Sequence, residues 1–143
     1  MKVLDLNLLI YAVNRDSAVH AKARSWLEAT LSGDEPVGIP WVVILGFLRI
    51  ATSDRVLPRP LKPAQGIAIV DGWLSQPAVL PLAPREGHWA ILGRLLDETG
   101  TAGNLTTDAH LAALAIENGA ELCSTDADFG RFPNLRWVNP LAA

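Results

Sequence analysis

Short apolar stretches of strand length alternate with helical ones along this sequence, which predicts an α/β fold with a central, mainly parallel sheet flanked by helices. Two observations make one compact unit reasonable. The chain has 143 residues, the size of a typical domain. Half of them are hydrophobic and only 19% are charged, enough for an ordinary buried core and unlike a disordered chain. A single domain over residues 1–143 is expected.

Taken in order, residues 3–6 read as a short buried strand, 8–13 as a helix, and 17–31 as a second helix with Ser17 as its N-cap. Residues 37–39 form the next strand candidate. Pro40 stands where a third helix can begin, with Trp41, Ile44, Leu45 and Leu48 expected on one face of it. Prolines and basic residues mark 53–63 as a loop, and 64–74 look helical with Pro63 at the start. Residues 78–82 are a strand candidate between Pro77 and Pro84, followed by a helix over 86–98. A turn over 100–104 leads into a strongly apolar helix over 107–118, capped by Gly119. Strands over 121–125 and 136–138 complete the series.

Composition removes several classes of function. The one cysteine, Cys123, cannot form an intrachain disulfide, and no zinc-type cluster accompanies it, so a reducing, cytoplasmic setting is expected. No uncharged stretch is longer than 36–48, which is too short to span a membrane and contains Pro40, and no signal peptide is expected. A net charge of −3 argues against a global basic field for nucleic acid. Its distribution is uneven: +2 over residues 1–96 and −5 over 97–143. A solvated acidic surface is the plainest explanation; a cation or a basic partner is the alternative.

The placement of the acids favours a cation. Asp5 lies in the apolar run Val3-Leu4-Asp5-Leu6, where a charge is costly unless paired or solvated in a cleft. Asp126 directly follows the strand over 121–125, with Asp128 two residues on. Asp108 occupies the first turn of the apolar helix, beside its buried stripe. Taken singly, Asp108 is explained by the positive end of its helix, with Thr106 or Thr107 as cap, and Asp126 by a turn bonding its own backbone. Together they bring three carboxylates to the edge of a parallel sheet where ligands bind. Oxygen ligands without clustered His or Cys point to Mg²⁺, or Mn²⁺, rather than zinc.

Three segments now carry a resemblance: Asp5-Leu6-Asn7, Asp108-Ala109-His110-Leu111-Ala112-Ala113-Leu114-Ala115, and Ser124-Thr125-Asp126-Ala127-Asp128-Phe129. In order and spacing they resemble the signature segments of PIN-domain nucleases, and the chain is similar to VapC-type toxins of bacterial toxin–antitoxin pairs. The resemblance implies a PIN-like fold, a Mg²⁺-dependent endoribonuclease, a homodimer and inhibition by a cognate antitoxin. It implies Asp5, Asp108 and Asp126 as catalytic metal ligands. One departure stands out: the family usually carries a glutamate three residues before an arginine on its third helix, and Gly46 occupies that place ahead of Arg49. The site then uses fewer carboxylates, or recruits Asp128 or another acid. A catalytically weakened PIN module that binds RNA or a partner protein is the alternative.

Asn7 either orients Asp5 or caps the following helix, and Thr125 is a further supporting candidate. Arg49 is a candidate phosphate contact, or a side chain snorkelling from an apolar helix. Arg55, Arg59 and Lys62 on the 53–63 loop form either an RNA-guiding surface or a solvated loop. The three histidines are far apart in sequence and none is expected to act in catalysis; the five tryptophans are expected in the core or at a dimer interface. No nucleophile elbow or Gly-rich phosphate loop is present. A phosphoaspartate phosphatase is disfavoured because Asn7 stands where a second aspartate is required.

Overall fold

The computed structural model describes residues 1–100 and 102–142. Its elements are β1 (Lys2–Leu4), α1 (Leu6–Val13), α2 (His20–Leu31), β2 (Val37–Pro40), α3 (Trp41–Ala51), α4 (Pro63–Leu74), β3 (Val79–Leu82), α5 (His88–Thr99), α6 (Thr106–Glu117), β4 (Glu121–Cys123) and β5 (Arg136–Val138). Short 3₁₀ turns at Gly103–Leu105 and Ala127–Arg131 precede α6 and follow β4. The expected α/β architecture is present. All the strand pairings are parallel, in the order β3-β2-β1-β4-β5.

That order places the site. From β1 the chain adds β2 and β3 on one side, then returns to add β4 and β5 on the other. The order therefore reverses between β1 and β4, and the loops leaving such neighbours diverge to open a crevice at their carboxyl ends. Both strands are short and buried, with Val3, Leu4, Leu122 and Cys123 fully inaccessible. Burial also pushes the Cys123 thiol up to about 12, which keeps it neutral and unreactive.

Several boundaries differ from the expected ones. β1 ends at Leu4 rather than at 6, because Asp5 caps α1: its carboxylate accepts a 2.7 Å bond from the Leu6 N–H. A helix cap thus gives this carboxylate a local partner. α2 starts at His20, while Ser17 accepts from the Val19 N–H in the preceding turn instead of capping the helix. The turn expected over 100–104 includes Thr101, outside the described residues; Gly100 and Gly103 beside it have φ of 71° and 56°, which suit glycine. Gly119, with φ 61°, closes α6 as expected.

The buried face of α3 is the largest correction. Val43, Ile44, Phe47 and Ala51 pack inward, whereas Trp41 and Leu45 are 48% and 62% exposed. The helix is apolar nearly all round, so periodicity could not select its inner face. Packing against α1, α4 and β2 selects it, with Phe47 edge-on to Trp73 at 4.7 Å. Trp41, Leu45 and Arg49 are left as an outward stripe at four-residue spacing.

Candidate metal centre

Three elements converge at the crevice. Asp5 is the residue after β1, Asp126 lies three residues beyond the end of β4, and Asp108 is in the first turn of α6. Carboxylate oxygens of Asp108, Asp126 and Asp128 lie within 4.8 Å of one another. Asp108 and Asp126 are half-buried and Asp128 is exposed. Of the three expected ligands, Asp108 and Asp126 are thus together while Asp5 is outside this group, and Asp128, expected only in support, stands in it.

Asp5 is joined to this group through Ser124. The Ser124 hydroxyl donates a 2.6 Å bond to Asp5 Oδ2 and accepts a 3.0 Å bond from the Asp126 N–H. Asn7 Nδ2 approaches the same hydroxyl at 3.5 Å, while Asn7 Oδ1 is buried without a partner. Ser124 is fully buried, and it, rather than Thr125, ties the β1 and β4 ends together. A hydroxyl directly after an apolar strand and two residues before an aspartate was the only signal for it in the sequence.

Some plain explanations of the acids are also realised. Asp126 caps the 3₁₀ turn, accepting a 2.9 Å bond from the Asp128 N–H. No threonine caps α6, which begins at Thr106 after Leu105 without a side-chain cap. Neither role exhausts a carboxylate, because each oxygen carries two lone pairs.

The electrostatics are those of crowded acids. Burial, then the charges of Asp126, Asp5 and Asp128, push the Asp108 carboxyl from the ordinary 3.8 up to about 6. Burial also raises Asp5, opposed by its bonds from Ser124 and Leu6, with Asp126 adding to the rise. Arg131 approaches Asp128 at 3.7 Å, and both side chains are well exposed. Hard oxygens gathered with so little neutralising charge fit a divalent cation.

Gly46 is buried on α3, and a Cβ there would meet Leu6 Cδ2 at 2.9 Å. The position thus faces the residue directly after Asp5. Arg49, Arg55 and Lys62 are exposed. Arg59 is engaged elsewhere, donating to both oxygens of Asp16 at 2.8 and 3.3 Å and tying the α3–α4 loop to the α1–α2 turn.

A PIN-domain family model matches residues 2–135. The chain belongs to the PIN-domain family. Within it the similarity is to VapC proteins. Ribonuclease VapC37 of Mycobacterium tuberculosis is 46% identical over 142 residues, covering 99% of both chains. Ribonuclease VapC33 of the same species is 48% identical over 141 residues, again covering 99% of each. Among solved structures, VapBC2 from Rickettsia felis, bound to a DNA fragment from its promoter, matches this PIN fold with a TM-score of 0.71 at 22% identity. That match covers 96% of this chain and 97% of the other. Among the described residues no helix is long and apolar enough to cross a membrane.

Proposed function

We propose that this VapC-like PIN domain, residues 1–143, is a Mg²⁺-dependent endoribonuclease acting as the toxin of a toxin–antitoxin pair in the cytoplasm. The observation that carries this is the group of mutually close Asp108, Asp126 and Asp128 oxygens at the β1–β4 switch point, with Asp5 bonded to it through Ser124. Asp5, Asp108 and Asp126 hold the cation, with Asp128 as a further oxygen donor in place of the acid missing at Gly46. When bound, Mg²⁺ or Mn²⁺ supplies Lewis-acid polarisation of a phosphoryl oxygen and acidifies coordinated water.

The protein's own groups do the rest. The rise of Asp108 to about 6 belongs to the cation-free cluster. A bound cation favours its charged form, which suits Asp108 to ligate the metal, and one of the carboxylates acts as general base towards water. Asn7 and Ser124 orient Asp5. Arg49, Arg55 and Lys62 contact RNA phosphates, and Arg59 joins them on release from Asp16. Without a cation the acids repel RNA, so the metal serves binding as well as chemistry. The exposed apolar stripe Trp41, Val42 and Leu45 supports a homodimer interface. A cognate antitoxin is the expected inhibitor.

Cleavage of structured RNA with Mg²⁺, with EDTA, and by Asp126→Asn tests the proposal. Gly46 favours a second reading, a weakened module that binds RNA or a partner protein and does not cut. RNA retention without cleavage at saturating Mg²⁺ would establish it.

A further inference from the structure

Ser124 is held on every side. Its N–H donates to the Val138 carbonyl at 3.0 Å, its hydroxyl serves Asp5 and Asp126, and its carbonyl accepts a 3.0 Å bond from the indole N–H of Trp137. The last contact comes from the neighbouring strand. Trp137 pairs with Leu122 in the β4–β5 register. Side chains two residues apart share a face of a strand, so the indole leans forward from Leu122 to reach Ser124.

The same ring also meets the far end of the acid-bearing loop. A Cβ built at Gly130, in the 3₁₀ turn Ala127–Arg131, would lie 3.8 Å from Trp137 Cζ3, an ordinary van der Waals distance. The indole is therefore hydrogen-bonded to the chain before Asp126 and lies beside the chain after Asp128, where a side chain at Gly130 would meet it. Between those points lie two of the three clustered carboxylates, which repel one another and would open the loop if it were free.

We propose that Trp137 is a positioning residue of the metal centre: its indole, hydrogen-bonded to the Ser124 carbonyl and lying beside Gly130, holds the loop that carries the Asp126 and Asp128 carboxylates. Trp137 does not itself touch the cation or the RNA. It acts through the loop, which it holds ready for a cation before one arrives; ligands fixed in place by their supporting contacts bind metal more tightly than mobile ones. This inference rests on the acids being a metal site, and the test separates the two.

Two replacements remove the donor. Trp137→Phe keeps an aromatic ring, and substitution by benzothienylalanine keeps the bicyclic shape with sulfur in place of N–H. Mn²⁺ affinity is measured by calorimetry on the folded, cation-free proteins. Both variants are expected to bind Mn²⁺ about tenfold more weakly than the wild type, the scale seen when partners behind metal ligands are removed. In the wild type the Trp137 indole ¹⁵N–¹H resonance is expected to shift on Mg²⁺ addition. Wild-type Mn²⁺ affinity in the benzothienylalanine variant would overturn the role of Trp137, and that variant decides the matter if Trp137→Phe does not fold. Absence of Mn²⁺ binding to the wild type would instead overturn the metal reading of the acids.

Discussion

His88 and His110, 22 residues apart in sequence, share a 2.8 Å hydrogen bond between Nε2 of the first and Nδ1 of the second, with their rings edge-on at 4.7 Å. The other ring nitrogen of His88 faces Glu117 Oε1 at 3.3 Å, and both of these side chains are below one-tenth exposed. α5 is thereby joined to α6 by a buried polar chain. Truncating His88 leaves Glu117, whose Oε2 already lacks a partner, as a buried and poorly paired acid. His88→Ala is expected to destabilise the fold by about 3–5 kcal/mol in urea denaturation, the scale for breaking a buried ionisable pair. A loss below about 0.5 kcal/mol, the size of an ordinary surface change, would show that the chain contributes little.

His110 sets a pH dependence. Burial and, secondarily, the neighbouring His88 lower its pKa from 6.5, against an opposing effect of Glu117. The unfolded chain thus takes up this proton first as pH falls, so stability should decline below pH 6.5. His110→Gln should remove part of that decline; an identical pH profile would show that His110 is not its source.

Asp108 acts with the opposite sign. Its folded carboxyl titrates at about 6 against 3.8, so the folded state binds the proton more readily and stability falls as pH rises between those values. Undiscounted, that shift corresponds to about 3 kcal/mol. Asp108 is only half-buried, and solvent screening reduces the expected effect to about 1–2 kcal/mol. Asp108→Asn should therefore stabilise the cation-free protein by that amount at pH 7 and change little at pH 4. Thermal melts at both pH values measure this, and destabilisation at pH 7 would mean that the carboxylate is structural.

The hydroxyl of Ser124 lowers the Asp5 pKa. Ser124→Ala should raise it and move the onset of Mn²⁺ binding to higher pH, because the metal takes the deprotonated form. The lost buried bond, to a charged acceptor, is expected to cost about 1–3 kcal/mol of stability. An unchanged pH onset would separate Ser124 from Asp5.

Much of this architecture was legible because local signals and global fold agree. Apolar runs bounded by proline and glycine gave the strands and helices within a few residues, and Asp126 after its strand gave one pole of the site. Asp5 was placed correctly at a strand end, yet its cap role was not foreseen, since a carboxylate before an apolar stretch reads equally as strand or cap. The inner face of α3 was not legible because both of its faces are apolar. The His88–His110 bond joins α5 to α6, and no spacing rule reaches across 22 residues. Ser124 and Trp137 meet only through strand pairing, which the sequence does not display.

Gly46 offers a gain-of-function test. A Cβ there meets the flexible end of Leu6 at 2.9 Å, so Gly46→Glu combined with Leu6→Ala gives the new side chain room. Replacing glycine favours the helix by up to ~1 kcal/mol, and a further hard oxygen should tighten Mg²⁺ binding. Unchanged affinity in the folded double variant would mean that position 46 does not reach the acids.

The most direct measurement is RNA cleavage by the wild type and by Asp126→Asn across a Mn²⁺ titration, with calorimetry of Mn²⁺ binding on the same samples. The wild type is expected to bind Mn²⁺ and to cut RNA in proportion to its occupancy, with cleavage abolished by EDTA. Asp126→Asn should remain folded while losing both binding and cleavage. Undiminished cleavage in EDTA, or by an Asp126→Asn protein that no longer binds Mn²⁺, would contradict a metal centre at these acids.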